Sequence, residues 1–242
     1  MGSMPISKSF IIPILLLLGI SLSLSFPSNY NSFYVNAQER KEMRDDPKLS
    51  INNILINTSN SPTLGNPDAP ITIIDFSDFQ CSMCARYVKT TEPIINETYV
   101  QTGKAKLVFK HFPIRGFDSL GASIAAQCIN DQGQSKFWKF HNLLYHNQGP
   151  IDSGWVSKDN LKNFASQISR LDMDKFVECL DSEKYKEYVQ NDLELAKNFK
   201  FTESPSFIIL NRDGTDPEYL SGAHPFPSFA SIIDKKLERL NK

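Results

Sequence analysis

Two cysteines three positions apart, Cys81 and Cys84, are the residues of this chain best suited to chemistry. They close the stretch Asp75-Phe76-Ser77-Asp78-Phe79-Gln80-Cys81-Ser82-Met83-Cys84. The apolar run Ile71-Thr72-Ile73-Ile74 leads into it as a buried strand, and Tyr87, Val88, Ile94 and Ile95 leave it at helical spacing. The first thiol therefore falls at a helix N-terminus, where unpaired N–H groups and the helix dipole favour a thiolate over a thiol. The second lies one turn on, close enough to close a small disulfide. That arrangement is a redox centre.

Two other uses of such a pair compete with it. Tetrahedral zinc needs four ligands, usually a second close pair, and the remaining cysteines, Cys128 and Cys179, stand 51 positions apart. A purely structural bridge between Cys81 and Cys84 would constrain very little chain. His111, His141, His146 and His224 share no ligand-like spacing and read as packing or surface residues. Neither a metal nor a cofactor is expected.

The elements that must position the pair form an α/β frame with a helical insertion. Turn signals at Ser61-Pro62 and from Gly65 to Pro70 precede the core strand. After the cysteines a helix is expected to run to about Gln101, kinked by Pro93 and stopped by Gly103. Lys106 to Phe112 then reads as the next strand of a βαβ unit. From about 114 to 200 the apolar spacing turns helical, with Ser157 and Asp172 as helix starts and Asp181-Ser182 opening a long helix. Cys128 and Cys179 both fall on apolar sides of these helices. They are placed to form a second, structural disulfide, with two buried free thiols as the alternative. The frame resumes at Pro205 to Leu210, a strand, followed by a hairpin turn at Asn211 to Gly214 and a last amphipathic helix.

Length and composition set the broad class. At 242 residues, with a formal net charge of -1, the chain suits one large domain and shows no basic stretch that would point to nucleic acid. Its N-terminus has the form of a targeting segment. Lys8 precedes an apolar run from Phe10 to Ile20, Ser and Leu alternate up to Phe26, and Val35-Asn36-Ala37 offers a cleavage site before Gln38. Cleavage of residues 1–37 is the expectation, with an uncleaved anchor at residues 10–26 as the alternative. Export would place all four cysteines in an oxidising compartment. Residues 38–63 read as a polar linker with an edge strand near Leu49 to Ile56, and residues 64–242 as the main domain.

Between Leu64 and Leu240 the chain resembles the DsbA-like branch of the thioredoxin superfamily. An acidic residue, Asp75, stands six positions before the first cysteine of Phe79-Gln80-Cys81-Ser82-Met83-Cys84. A proline before a strand follows far downstream in Ser204-Pro205-Ser206-Phe207. The insertion matches through Cys128, Gln132-Gly133, Lys136 to His141 and Phe176 to Leu180. The chain departs from the common pattern at Ser82-Met83, at Glu203-Ser204 and at Gln134-Ser135, which looks like an insertion.

The resemblance implies a thioredoxin fold with a central mixed sheet and an all-helical insertion. It implies that Cys81 attacks or is attacked, that Cys84 resolves the mixed disulfide, and that Asp75 exchanges a proton with Cys84. Desolvation would raise the pKa of Asp75 toward working pH. Pro205 would be a cis proline facing the cysteines, and the backbone of Ser204 would pair with an extended substrate. Met83 and Phe79, with Phe112 and Phe207, would offer a soft apolar rim, although ordinary core packing suits Phe207 better. Asp78 is read as solvent-exposed and without a role.

The implied activity is thiol-disulfide exchange, in the direction of dithiol oxidation. Its partners would be unfolded or reduced exported proteins, together with a membrane or soluble redox protein that recycles the Cys81–Cys84 pair. A reductase or isomerase on the same fold is the near alternative, and a metal-handling or binding module the distant one.

Overall fold

The computed structural model describes residues 48–51 and 54–240. The expected signal or anchor at residues 1–37 lies outside the described residues. No helix among the described residues is long and apolar enough to cross a membrane.

The central strand is made by the most continuously apolar segment of the frame. Strand β4 (Ile71–Ser77) is buried at every position, as is β5 (Ala105–His111) beside it. Both faces of these strands are covered, which is why they read as runs rather than as alternations. The sheet adds β3 (Thr63–Leu64), β6 (Ser206–Asn211) and β7 (Glu218–Ser221) in the order β3-β5-β4-β6-β7. β4 and β5 are parallel, whereas β6 runs antiparallel to β4, with Asp75 opposite Phe109 on one side and Phe207 on the other. The sheet is therefore mixed.

The period of two along each strand divides the core. Ile71, Ile73, Leu107, Phe109, Phe207 and Ile209 share one buried cluster with Phe79, Cys84 and Tyr87. Ile74, Phe76, Val108, Phe112, Ile208 and Leu210 form another with Ala196. Asp75 and Ser77 alternate with Ile74 and Phe76, so they share the face of the first cluster. A carboxylate is thus aimed into an apolar layer.

Helix α1 (Ser82–Thr90) follows the Cys pair. Where one kinked helix was expected, the chain ends α1 and restarts as α2 (Glu92–Ile95), with Pro93 in the first turn, then closes in a single π-helical turn from Asn96 to Val100. Proline has no N–H to give an i→i−4 bond and is tolerated at a helix start, so its position decides the break.

Five helices separate β5 from β6: α3 (Asp118–Asn130), α4 (Gln134–His146), α5 (Lys158–Ala165), α6 (Met173–Asp181) and α7 (Lys186–Asn198). Ser157 caps α5 by accepting from the Asn160 amide, and Asp172 caps α6 by accepting from the Lys175 amide. Gly133 opens α4 at φ 133°, a backbone region that disfavours other residues. Asp181 and Ser182 end α6 instead of opening the long helix, because the Ser182 hydroxyl bonds back to the Glu178 carbonyl. Helix α8 (Phe226–Leu240) completes the frame.

The expected edge strand near Leu49 to Ile56 is instead two strands, β1 (Lys48–Ile51) and β2 (Ile54–Asn57), paired with each other in a sheet of their own. Ile51 and Ile56 reach the second buried cluster, so packing rather than pairing attaches the hairpin to the domain.

Candidate active site

Cys81 is the N-cap residue of α1, with extended backbone at φ -80° and ψ 117°. An N-cap side chain normally accepts from the amides two and three residues on. Here a sulfur stands in that position without a capping hydrogen bond, and the nearby Met83 and Cys84 amides both favour its ionised form. The Cys84 thiol contributes most to that preference, and the Ser204 hydroxyl, buried and otherwise without a partner, adds to it. Against the opposing effect of burial, these bonds bring the Cys81 pKa down from 9.0 to about 5. As a thiol, Cys81 Sγ donates to the Ser204 carbonyl at 3.0 Å. Cys81 is only 2% exposed, because the loop before β6 lies against it. Its neighbours Ser82 and Met83 are exposed.

Cys84 is fully buried, and its pKa moves the other way, well above 9.0. Burial is the main cause, followed by its hydrogen bond to Cys81 and the charges of Cys81 and Asp75. Both cysteines are free thiols in the structure. Asp75 is fully buried too, which raises its pKa from 3.8 to about 7 against a lowering hydrogen bond from the Ser77 hydroxyl. The three groups thus hold one easily ionised thiol, one that resists ionisation, and a carboxyl poised to trade protons near neutrality.

The Ser204–Pro205 peptide bond is cis, and the Pro205 carbonyl accepts from the Gly222 amide at 2.7 Å. This contact ties the loop beside Cys81 to the segment after β7. A shallow groove of about 260 Å³ opens there, lined by Met83, Arg86, Ser221, Gly222, Ala223, His224 and Pro225. Arg86 donates to the Ala223 carbonyl and spans it.

Of the expected site residues, Cys81, Cys84, Asp75, Ser204 and Pro205 come together. Met83, 37% exposed, lies at the mouth. Phe79 does not line a rim. It is fully buried, stacked on Phe109 at 5.5 Å between ring centroids and set against Tyr145 and His141. Its side chain points from the loop toward the sheet, so it packs the floor of the site and cannot meet a substrate. Phe112 is likewise buried.

Asp78 overturns its reading as an exposed residue. It is fully buried and accepts from the Gln80 amide, the Ser119 hydroxyl and the amides of Ile114 and Arg115. Burial raises its pKa and those bonds oppose the rise. Gln80 continues the tie by donating to Ser119 and Asp152, and Gln148 donates to the carbonyls of Phe79 and Cys81. These residues clamp the Cys loop to the insertion. No sequence pattern marked them, because their partners outside the Cys loop lie 36 to 72 positions away.

In the insertion, Cys128 on α3 and Cys179 on α6 form a disulfide, with Cα atoms 5.9 Å apart. A larger groove of about 620 Å³ opens beside it, lined by charges of both signs that include Asp131, Lys136, Asp172 and Lys175. It contains none of the catalytic candidates. Among the described residues, no group of three or more His, Cys, Asp or Glu side chains is arranged to hold a metal ion.

Comparison with known proteins agrees with this geometry. A family model described as thioredoxin matches residues 57–234. A protein of Bacillus anthracis named as a probable disulfide bond formation protein D is 31% identical over 182 residues, covering 75% of this chain and 80% of that one. The crystal structure of oxidised BdbD from Bacillus subtilis superimposes with a TM-score of 0.67 at 23% identity, over 80% of this chain and 97% of the other. That of Wolbachia pipientis alpha-DsbA1 gives 0.64 at 27% identity, over 75% and 95%. The chain belongs to the thioredoxin family, in its DsbA-like branch, and is a protein thiol-disulfide oxidoreductase.

Proposed function

We propose that this protein is an exported dithiol oxidase that uses the Cys81-Ser82-Met83-Cys84 centre to donate its disulfide to reduced, unfolded exported proteins. One observation carries the reading: Cys81 occupies the N-cap of α1, where its thiolate is held at a pKa of about 5 while Cys84 stays a buried thiol. A stabilised thiolate is a good leaving group, which favours giving the disulfide away.

The exchange runs in two displacements. A substrate thiolate attacks Cys81 Sγ, forming a mixed disulfide and expelling Cys84 as a thiolate. Protonated Asp75 gives Cys84 its proton. A second substrate thiolate then attacks the substrate sulfur of the mixed disulfide and releases the Cys81 thiolate. Two electrons have passed from substrate to enzyme, and the substrate holds a new disulfide. A membrane or soluble redox partner takes those electrons back from the Cys81–Cys84 pair. During the mixed-disulfide stage the backbone of Ser204 pairs with the extended substrate, Pro205 leaves no N–H beside the sulfurs, and Met83 offers an adaptable apolar contact. The shallow groove next to Cys81 suits a polypeptide better than a small enclosed ligand. Residues 1–37, as a cleaved signal or an anchor at residues 10–26, supply the export.

The test is stoichiometric. Oxidised protein mixed with a reduced, unfolded test protein bearing two cysteines should yield the test protein's disulfide and equivalent Cys81 and Cys84 thiols. The reduction potential of the pair should lie well above that of thioredoxin, about −270 mV. A value at or below that, with no oxidation of the test protein, makes the protein a reductase.

A further inference from the structure

The shallow groove beside Cys81 lies between two walls that are far apart in sequence. One is the outer face of α1, with Met83 and Arg86 one turn apart. The other is the segment after β7, from Ser221 to Pro225. Hydrogen bonds tie this second wall down. The Gly222 amide donates to the Pro205 carbonyl at 2.7 Å and the Thr91 hydroxyl to the His224 carbonyl at 3.1 Å. His224 Nε2 donates to the Ser221 carbonyl at 2.9 Å. The groove is therefore preformed, and a chain entering it has little of the protein to order.

Among the described residues that line it, Arg86 alone carries a permanent charge. Its guanidinium has several N–H donors, of which Nη2 is committed to the Ala223 carbonyl at 3.0 Å. No carboxylate among the described residues forms an ion pair with it, whereas Arg212 and Arg239 each face an aspartate. Lys89, one turn further along the exposed face of α1, has no acidic partner either, and α1 itself contains no acid. Glu203, two residues before Pro205, does not line the groove. An exposed arginine needs no protein partner, since water serves it. What sets Arg86 apart is its place across a preformed groove next to the reactive sulfur.

We propose that Arg86 is a specificity-determining residue, selecting reduced substrates that carry an acidic side chain, Asp or Glu, about two positions from the reacting cysteine. The proposal rests on the dithiol oxidase function above and adds the class of substrate. From Cys81 to Arg86 the helix rises about 7.5 Å, which an extended chain laid along it covers in roughly two residues. A substrate so laid, joined to Cys81 by its cysteine, brings that neighbouring side chain over Arg86. A planar guanidinium grips a carboxylate through paired hydrogen bonds, and it repels an ammonium at the same place. Met83, at the mouth, adapts to the residue in between.

The experiment measures kcat/KM for oxidation of two-cysteine peptides by the oxidised full chain. The peptides are identical except for Glu, Gln or Lys placed two positions before or two positions after the first cysteine. Each rate is divided by that of the same peptide with glutathione disulfide, which removes the effect of the charge on the peptide's own thiol. In one of the two placements Glu should exceed Lys about fivefold, the upper range for an exposed ion pair, with Gln between. Arg86→Glu should invert that order, and Arg86→Lys should keep it at a smaller ratio. The ratio between peptides is read, so a general loss of activity in a variant does not imitate the result. Equal rates for the three peptides in both placements, a preference for Lys, or a Glu preference that survives in Arg86→Glu overturns the proposal. If the variants do not fold, the wild-type protein decides: a Glu preference that about 1 M sodium chloride removes supports it, and one indifferent to salt overturns it. Failure of the wild-type protein to oxidise any of the peptides would instead remove the function proposed above, so the two failures are distinguishable.

Discussion

Cys81 and Cys84 stand three positions apart at a helix start, whereas Cys128 and Cys179 stand 51 positions apart on two helices of the insertion. All four side chains are buried or nearly so, at 2% and 0% exposure for the first pair and 1% and 8% for the second. Burial therefore does not separate a reactive pair from an inert one. The surroundings do. The first pair sits among unspent amides, a hydroxyl and a carboxyl, which split its two thiols into one that ionises easily and one that resists. The second pair joins two helices and closes a long loop. In one pair the sulfur is suited to leave as a thiolate, and in the other it is a cross-link.

The comparison breaks first at the reactive pair. Cys81→Ser should reduce oxidation of a reduced substrate by at least about a thousandfold, since no other group takes over as nucleophile or leaving group. Cys84→Ser should lose turnover as well, but should accumulate a mixed disulfide through Cys81 when offered a disulfide-bonded substrate, visible by mass spectrometry. A Cys84→Ser protein that traps nothing would reverse the assigned roles.

The cross-link should respond in stability and not in chemistry. By chain entropy, a loop of this length is worth roughly 4 kcal/mol, so replacing both Cys128 and Cys179 by Ala should lower unfolding free energy by up to that amount. Denaturant unfolding measures it. The rate of Cys81 alkylation should be unchanged, and a large change there would show that the two pairs are not independent.

The most pH-sensitive effect belongs to Asp75. Its folded-state pKa is raised from 3.8 to about 7, mainly by burial, so the folded protein holds this proton more tightly than the unfolded chain does. The stabilisation this provides is complete below about pH 4 and is lost as pH rises through about 7. Asp75→Asn has no such loss. It should match or fall below the wild type in acid and gain on it between pH 4 and 7, by at most roughly 4 kcal/mol. The same variant should slow resolution by Cys84. Parallel stability curves for the two proteins would show that Asp75 does not titrate as a buried acid.

Much of this protein was decided by short-range sequence. The apolar run into Cys81 and the helical spacing after it make a strand–turn–helix junction, and such a junction places a sulfur at an N-cap wherever the segment folds. Ser157 and Asp172 mark their helices for the same local reason. Other features depended on what the folded chain brings alongside. Asp78 looks like any acid in a turn, yet four hydrogen bonds from Gln80, Ile114, Arg115 and Ser119 bury it. Phe79 shares the motif with Cys81 but turns toward Phe109 and Tyr145, because the sheet and α4 close over it. Glu92 reads as an ordinary acid in the first turn of a helix, until α4 sets His141 against it. Local spacing determines which groups can be reactive. The energy of burying a charge depends on every element packed around it, so only the tertiary structure decided which of these acids is a clamp, which is buried with a raised pKa, and which aromatic is floor and not rim.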